Sequence, residues 1–538
     1  MRKLFLIILV ALIACGESNE IQQPATVVEL DNTIRIDSGA IAGNQGDDGL
    51  LEFLGIPYAA PPIGGRRWQP PMAVAHWDAV LDATQRGLPC MQPKSASGFY
   101  GGSYPQTSED CLTLNVWTRA KTASDGLPVM VWIHGGALLR GSAADYDGAG
   151  LTQKGVVLVT MNYRLGPFGF FAHPELSLEA PSGSSGNQGF LDQIAALKWV
   201  KENISAFGGD PNNVTVFGES AGSWSLSVIQ ASPMARGLFH KVIGQSGARF
   251  MPLPDLKQAR WGLQSAEARG ESVAQKITGQ TATNLAAMRA LDAQTIMQGY
   301  SSDPAMRDNF DYLTIQDGAV LPKEVNAIFA AAQQADVPVL IGSNANEATT
   351  FDPALSNPSL QDMDYGPLLT RQVEALLPAV GAQLLDFYPP AAADSRRSWT
   401  EFNTDVMFTQ QMRLWADYME AVSSPAYLYW WNWRPVINGS DRLGAFHAAE
   451  IPYVFGRLDA FGIEPSAEDY AFADLMMTIW TNFAKTGNPS VAEVIDWPAY
   501  RSSAPATAVL GPQLSIRQGI RSEQVALISA GFAARRTP

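Results

Sequence analysis

Apolar positions along this chain fall into two rhythms. Short unbroken runs, Val129-Met130-Val131-Trp132-Ile133, Val156-Val157-Leu158-Val159-Thr160-Met161 and Val214-Thr215-Val216-Phe217, read as strands buried on both faces, as a central, largely parallel sheet requires. Val337 to Ile341 and Ala426 to Trp431 repeat the pattern further on. Between them apolar residues recur at helical spacing, as in Asn187 to Ile204, where Phe190, Ile194, Leu197 and Ile204 share a face. A helix-like stretch also runs from Ala259 to Leu291. Near the start, Val27 to Phe53 alternates apolar and polar residues around Gly and Asp, as short antiparallel edge strands do. The Pro-rich stretch from Gly55 to Pro62 excludes helix there. Strands alternating with helices predict an α/β sandwich.

The first residues follow neither rhythm. Met1-Arg2-Lys3 is basic, Leu4 to Ala14 is wholly apolar, and Cys15 follows at once. Eleven apolar residues are too few to span a bilayer, so the segment reads as a secretory signal over 1–14. Leu12-Ile13-Ala14-Cys15 resembles a bacterial lipobox, which implies lipidation of Cys15 and a tether over 15–24; plain cleavage near Ala14 is the alternative. No linker divides the remainder, so 25–538 is expected to be one domain with helical insertions. Lipidation would also explain the odd count of three cysteines, leaving Cys90 and Cys111 either as a pair or as two free thiols. Gly16 after the Cys points to an outer-membrane-anchored lipoprotein facing periplasm or exterior.

Composition changes the picture in one respect. The balance of 37 basic against 52 acidic residues, net −15, disfavours nucleic acid and anionic membrane surfaces as partners, so the lipid is the one expected membrane contact.

Chemistry enters at Gly218-Glu219-Ser220-Ala221-Gly222, which fits Gly-x-Ser-x-Gly, a strand-to-helix turn that exposes a serine hydroxyl. In a chain with 47 Gly the pentapeptide alone says little. Its place, after the buried run Val214 to Phe217 and before the apolar-rich Trp224 to Ile229, is the context the motif needs. A serine needs a base, and the base a carboxylate that fixes its tautomer. Of five histidines, His447 alone lies well beyond the serine in a small-residue loop after a strong strand; His76, His134, His173 and His240 are the alternatives. Glu347, directly after the strand Val337 to Ile341, is the candidate acid, with Asp336 and Glu324 as competitors before that strand. Trp132-Ile133-His134-Gly135-Gly136-Ala137, a strand running into a Gly-rich turn, is placed to supply oxyanion donors beside the Ala221 N–H.

Together these residues resemble the type-B carboxylesterase family, which also holds cholinesterases and several lipases. Phe53 to Ala59, Glu109 to Leu112, Asn187 to Gly189, Phe207 to Pro211, Gly218 to Gly222, Gly342 to Glu347 and Phe446 to Phe455 carry the likeness, in order, from about Val27 to Tyr500. The resemblance implies the α/β-hydrolase fold, a triad of Ser220, Glu347 and His447, and oxyanion donors at Gly136, Ala137 and Ala221. It further implies a Cys90–Cys111 disulfide, a Ser246 that supports Glu219, and no metal or organic cofactor. Two departures stand out. Ala137 replaces a glycine common in the family, and the segment between Cys90 and Cys111 lacks the Trp with which cholinesterases hold a quaternary ammonium; Phe99, Tyr100 and Tyr104 are the available aromatics. The expected activity is hydrolysis of a small-molecule carboxylic ester through an acyl-enzyme. Amide, thioester or carbamate cleavage by the same apparatus is the first alternative, and a non-catalytic binding module the second.

Overall fold

The computed structural model describes residues 29–93, 104–280, 284–302, 310–391, 393–437, 442–459 and 462–536. The signal segment, Cys15 and the tether lie outside the described residues, as do Phe99 and Tyr100.

Among the described residues fourteen strands form two sheets. β1 (Thr33–Ile36), β2 (Gly39–Ala42) and β5 (Leu81–Asp82) make a small one. The other eleven form the main sheet. They are β3 (Asn44–Gln45), β4 (Leu51–Pro57), β6 (Thr113–Thr118), β7 (Leu127–Ile133), β8 (Val157–Met161), β9 (Gly209–Glu219), β10 (Lys241–Gln245), β11 (Val339–Asn344), β12 (Ala426–Trp431), β13 (Ala506–Leu510) and β14 (Ser515–Gln518). Their order is β14-β13-β12-β11-β10-β9-β7-β8-β6-β4-β3. From β8 through β13 every neighbouring pair is parallel; the strands beyond, at both edges, pair antiparallel. The unbroken apolar runs are these parallel strands, and Val129 to Ile133 and Val157 to Val159 are fully buried because helices cover both faces. Helix Gln188–Asn203 buries Phe190, Ile194 and Leu197 on its apolar face. The stretch from Ala259 to Leu291 is not one helix. It holds helix Ala266–Thr278, stopped by Gly279 at φ 70°, and helix Leu285–Ala290. Gly279 supplies the left-handed C-cap that the apolar pattern alone does not show.

Cys90 and Cys111 form a disulfide, so the free-thiol alternative falls. The 21-residue separation closes a loop of the size that contributes about 3 kcal/mol in the chain-entropy account.

Because β7 through β13 run parallel, their carboxyl ends lie along one edge, where β7 leads into Gly135, β9 into Ser220 and β11 into Glu347. Here backbones touch. A Cβ at Gly218 would lie 2.6 Å from the carbonyl oxygen of Ile133, and one at Gly222 would overlap the same oxygen outright. Gly222→Ala should therefore lower stability, although alanine is the better helix former by about 1 kcal/mol. Overpacking against backbone that cannot give way costs roughly 3 kcal/mol or more, so the urea midpoint is expected to fall; an unchanged or raised midpoint would contradict the contact.

Candidate active site

Ser220 joins β9 to helix Ala221–Ala231 with φ 55° and ψ −122°, a conformation that favours glycine and is strained for a side-chain residue. The strain is held in place. Ser220 N–H donates to the Gln245 carbonyl of β10 at 2.9 Å, and its own carbonyl accepts Trp224 N–H at 2.9 Å. Gly218 and Gly222 flank it at the Ile133 carbonyl. The serine retains 8% exposure at the carboxyl edge of the sheet.

Glu347 and His447 arrive on two loops stitched together. Asn346 N–H donates to the Ala445 carbonyl at 2.9 Å, Asn346 Oδ1 accepts Ala445 N–H at 3.0 Å, and Asn344 Nδ2 donates to the Phe446 carbonyl at 2.7 Å. The result is a short contact: His447 Nδ1 donates to Glu347 Oε2 at 2.6 Å, while Glu347 Oε1 accepts Asn344 N–H at 2.6 Å. The other ring nitrogen, Nε2, lies 3.3 Å from Oε1 of Glu219, the residue before Ser220. A third carboxylate, Glu450, is buried behind them and accepts from Asn344 Nδ2 at 2.6 Å and Gln245 Nε2 at 3.1 Å. One imidazole thus sits among three fully buried carboxylates. Burial by itself depresses His447, but Glu219 and Glu347 outweigh it and push the imidazole up to about 9. Burial pushes Glu450 up as well, reinforced by the charge of Glu347.

The Gly-rich turn after β7 meets Ser220 directly. A Cβ at Gly135 would lie 2.9 Å from Glu219 Oε2 and 3.1 Å from Ser220 Cβ. Beyond it Gly136, Ala137 and Leu138 have φ of 98°, 59° and 60°. Two successive non-glycine residues in the left-handed region turn their peptide groups away from any regular ladder, and the N–H groups of Gly136 and Ala137 make no hydrogen bond among the described residues. Ala221, at the helix N-terminus, offers a third N–H.

The competing residues have other work. His134 is buried, stacked on Tyr163 at 4.4 Å and pushed down by burial to about 4. His173 caps helix Pro174–Glu179, and His240 Nδ1 accepts Val214 N–H at 3.2 Å. Asp336 binds Ser423 and Ser424, and Glu324 accepts Leu253 N–H and the Trp261 indole. Ser246 Oγ has no hydrogen-bond partner among the described residues, so no direct bond to Glu219 supports that carboxylate; Ser246 is placed by its backbone, at φ 56° with its N–H on the Gly342 carbonyl. Tyr104, the one of the three alternative aromatics that lies among the described residues, donates its hydroxyl to Asp145. Sequence reasoning also missed Glu450, three residues after His447 in an otherwise apolar segment, and the ring of Phe408, 4.6 Å from the imidazole.

The carboxylesterase family profile matches residues 30–528. The chain belongs to the carboxylesterase family. It is 37% identical over 500 residues to the para-nitrobenzyl esterase of Bacillus subtilis (strain 168), covering 90% of this chain and 96% of the relative. Against the fumonisin B1 esterase of Sphingopyxis macrogoltabida it is 36% identical, over 86% of this chain and 83% of that one. Among solved structures, a thermophilic pNB esterase superposes with TM-score 0.80 at 34% identity, over 92% of this chain and 99% of the other. A Geobacillus stearothermophilus carboxylesterase gives TM-score 0.78 at 32% identity, over 92% and 100%. This carboxylesterase has the α/β-hydrolase fold and is a carboxylic ester hydrolase.

The electrostatics set a pH dependence. His447 is raised from an ordinary 6.5 to about 9, so its charge pairing stabilises the fold fully below pH 6.5 and is lost as pH rises through 9. An imidazole must be neutral to accept a proton, so with His447 as the base of the triad proposed below kcat/KM should rise with pH through the same titration. Glu219→Gln removes one of the three carboxylates that hold the charge, and the rising limb of the kcat/KM profile should move to lower pH. A limb that stays in place would contradict this reading of the site.

Proposed function

We propose that this carboxylesterase works by a serine triad and an acyl-enzyme. Ser220 attacks the ester carbonyl while His447 accepts its proton at Nε2, and Glu347 holds the Nδ1–H tautomer and pairs with the imidazolium as it forms. The tetrahedral oxyanion is received by the N–H groups of Gly136, Ala137 and Ala221. His447 then protonates the departing alcohol, and a water activated by the same imidazole hydrolyses the Ser220 ester. The reading is carried by the 2.6 Å contact between His447 Nδ1 and Glu347 Oε2, with Nε2 turned to the residue before a strained serine. Relatives named for para-nitrobenzyl and fumonisin B1 esters support a small-molecule ester as substrate. Four residues, Leu12 to Cys15, further support export and lipidation at Cys15, with the enzyme held at the outer membrane by its lipid.

A p-nitrophenyl ester series of increasing acyl length, run on protein lacking residues 1–24, tests the chemistry. Turnover should vanish in Ser220→Ala, and residual turnover at the native rate would remove the nucleophile assignment. Ala137→Gly, which drops a methyl beside the acyl carbon, should shift the preferred acyl length more than the rate on acetate. In the full chain, labelled palmitate should enter the native protein and not Cys15→Ser; equal labelling would refute the anchor.

A further inference from the structure

One helical segment touches both the acid loop and the base. Helix Ser395–Thr404 passes without a break into a π-helical turn, Asp405–Thr409, and on into helix Gln410–Met419. Such turns are rare and concentrate at functional sites. Here Thr404 Oγ1 accepts the N–H of Ala348, next to Glu347, at 3.1 Å. At the other end of the turn the Phe408 ring lies 4.6 Å from that of His447, tilted by 44°, and is itself buried. Phe351, at the end of the Glu347 turn, stacks on Phe408 at 6.0 Å.

A clamp fixes the turn from behind. The buried carboxylate of Asp405, its first residue, accepts the Tyr388 hydroxyl at 2.6 Å, Arg521 Nε at 2.8 Å and a second bond from Arg521 Nη2. Arg521 precedes helix Ser522–Arg536, whose Ile528 and Phe532 pack with Trp399, Phe402 and Val406 of the helix that carries the turn. None of these groups touches a reacting atom, yet the path from Arg521 to His447 runs through bonded and packed contacts at every step.

We propose that Asp405 and Arg521 are positioning residues for acyl transfer: they lock the π turn that sets Phe408 against the face of His447 and braces the Glu347 loop through Thr404. This rests on the triad assignment above. Between attack and alcohol departure the imidazole must carry a proton from one oxygen to another without losing its alignment. Glu347 holds one edge of the ring, and Phe408 restrains its face. Misplacement of a reacting group by about 1 Å costs up to about 100-fold in rate, so a slackened turn should be visible in kcat.

The test is p-nitrophenyl acetate hydrolysis by the full domain, with kcat expressed per serine labelled by a fluorophosphonate, so that unfolded protein drops out. Asp405→Asn, close in size and still an acceptor, should lower kcat about tenfold, keep KM within about twofold, and displace the His447 limb of the pH profile. Phe408→Leu should do the same, and the double variant should be no worse than the stronger single, because both changes act along one path. Unchanged kcat per labelled serine in the single variants, or losses that simply multiply in the double, would overturn the proposal. If Asp405→Asn does not fold, Phe408→Leu and Thr404→Val carry the test, and an unmoved kcat and pH limb in both overturns it. Survival of turnover in Ser220→Ala would instead strike the triad assignment, which separates the two failures.

Discussion

The carbonyl oxygen of Ile133 occupies the space that a side chain at 218 or 222 would need, and the geometry of the site descends from that contact. It draws the end of β7 against the turn after β9, so the Gly135-Gly136-Ala137 loop and Ser220 cannot separate without breaking the centre of the sheet. Ser220 bears the cost as left-handed backbone, and Gln245 on the neighbouring strand secures it with a hydrogen bond to its N–H. A strained residue persists only where its surroundings overdetermine it, and here they are three adjacent parallel strands, β7, β9 and β10.

Around that rigid floor the protein gathers charge in a dry place. Glu219, Glu347 and Glu450 are buried within reach of one imidazole, an arrangement that is costly unless each carboxylate finds donors. Asn344 serves two of them, through its N–H to Glu347 and its amide to Glu450, and Gln245 reaches Glu450 as well. The same low dielectric that makes these groups costly strengthens the pull of the carboxylates on His447. The raised His447, the stitching of its loop and the hold on Glu347 are therefore one network of named bonds.

Much of this was legible in the sequence because the physics that produced it is local. Unbroken apolar runs mark parallel strands buried on both faces, and the Gly-x-Ser-x-Gly pentapeptide between a strand and a helix marks the turn at Ser220. Chain order favoured His447, and a place directly after a strand rather than before it favoured Glu347; the structure shows several of their competitors capping helices and tying loops. What stayed hidden depends on contacts distant in sequence. The partners of Glu450, Asn344 and Gln245, lie more than 100 positions away, Asp405 and Arg521 are 116 positions apart, and no pattern of apolar residues distinguishes a π turn from the α-helix on either side. Of the aromatics from Phe402 to Trp433, Phe402, Trp415 and Trp431 are core, and Phe408 alone among these is set against the imidazole.

The proposed chemistry requires one serine, strained at the end of β9, to be the nucleophile. The measurement that tests it most directly is mass spectrometry of peptides from the native protein after reaction with an alkyl fluorophosphonate. The account predicts a single adduct per chain, on Ser220, formed at a rate that tracks deprotonation of His447. An adduct on any other residue, or none under conditions where the protein hydrolyses esters, would contradict it.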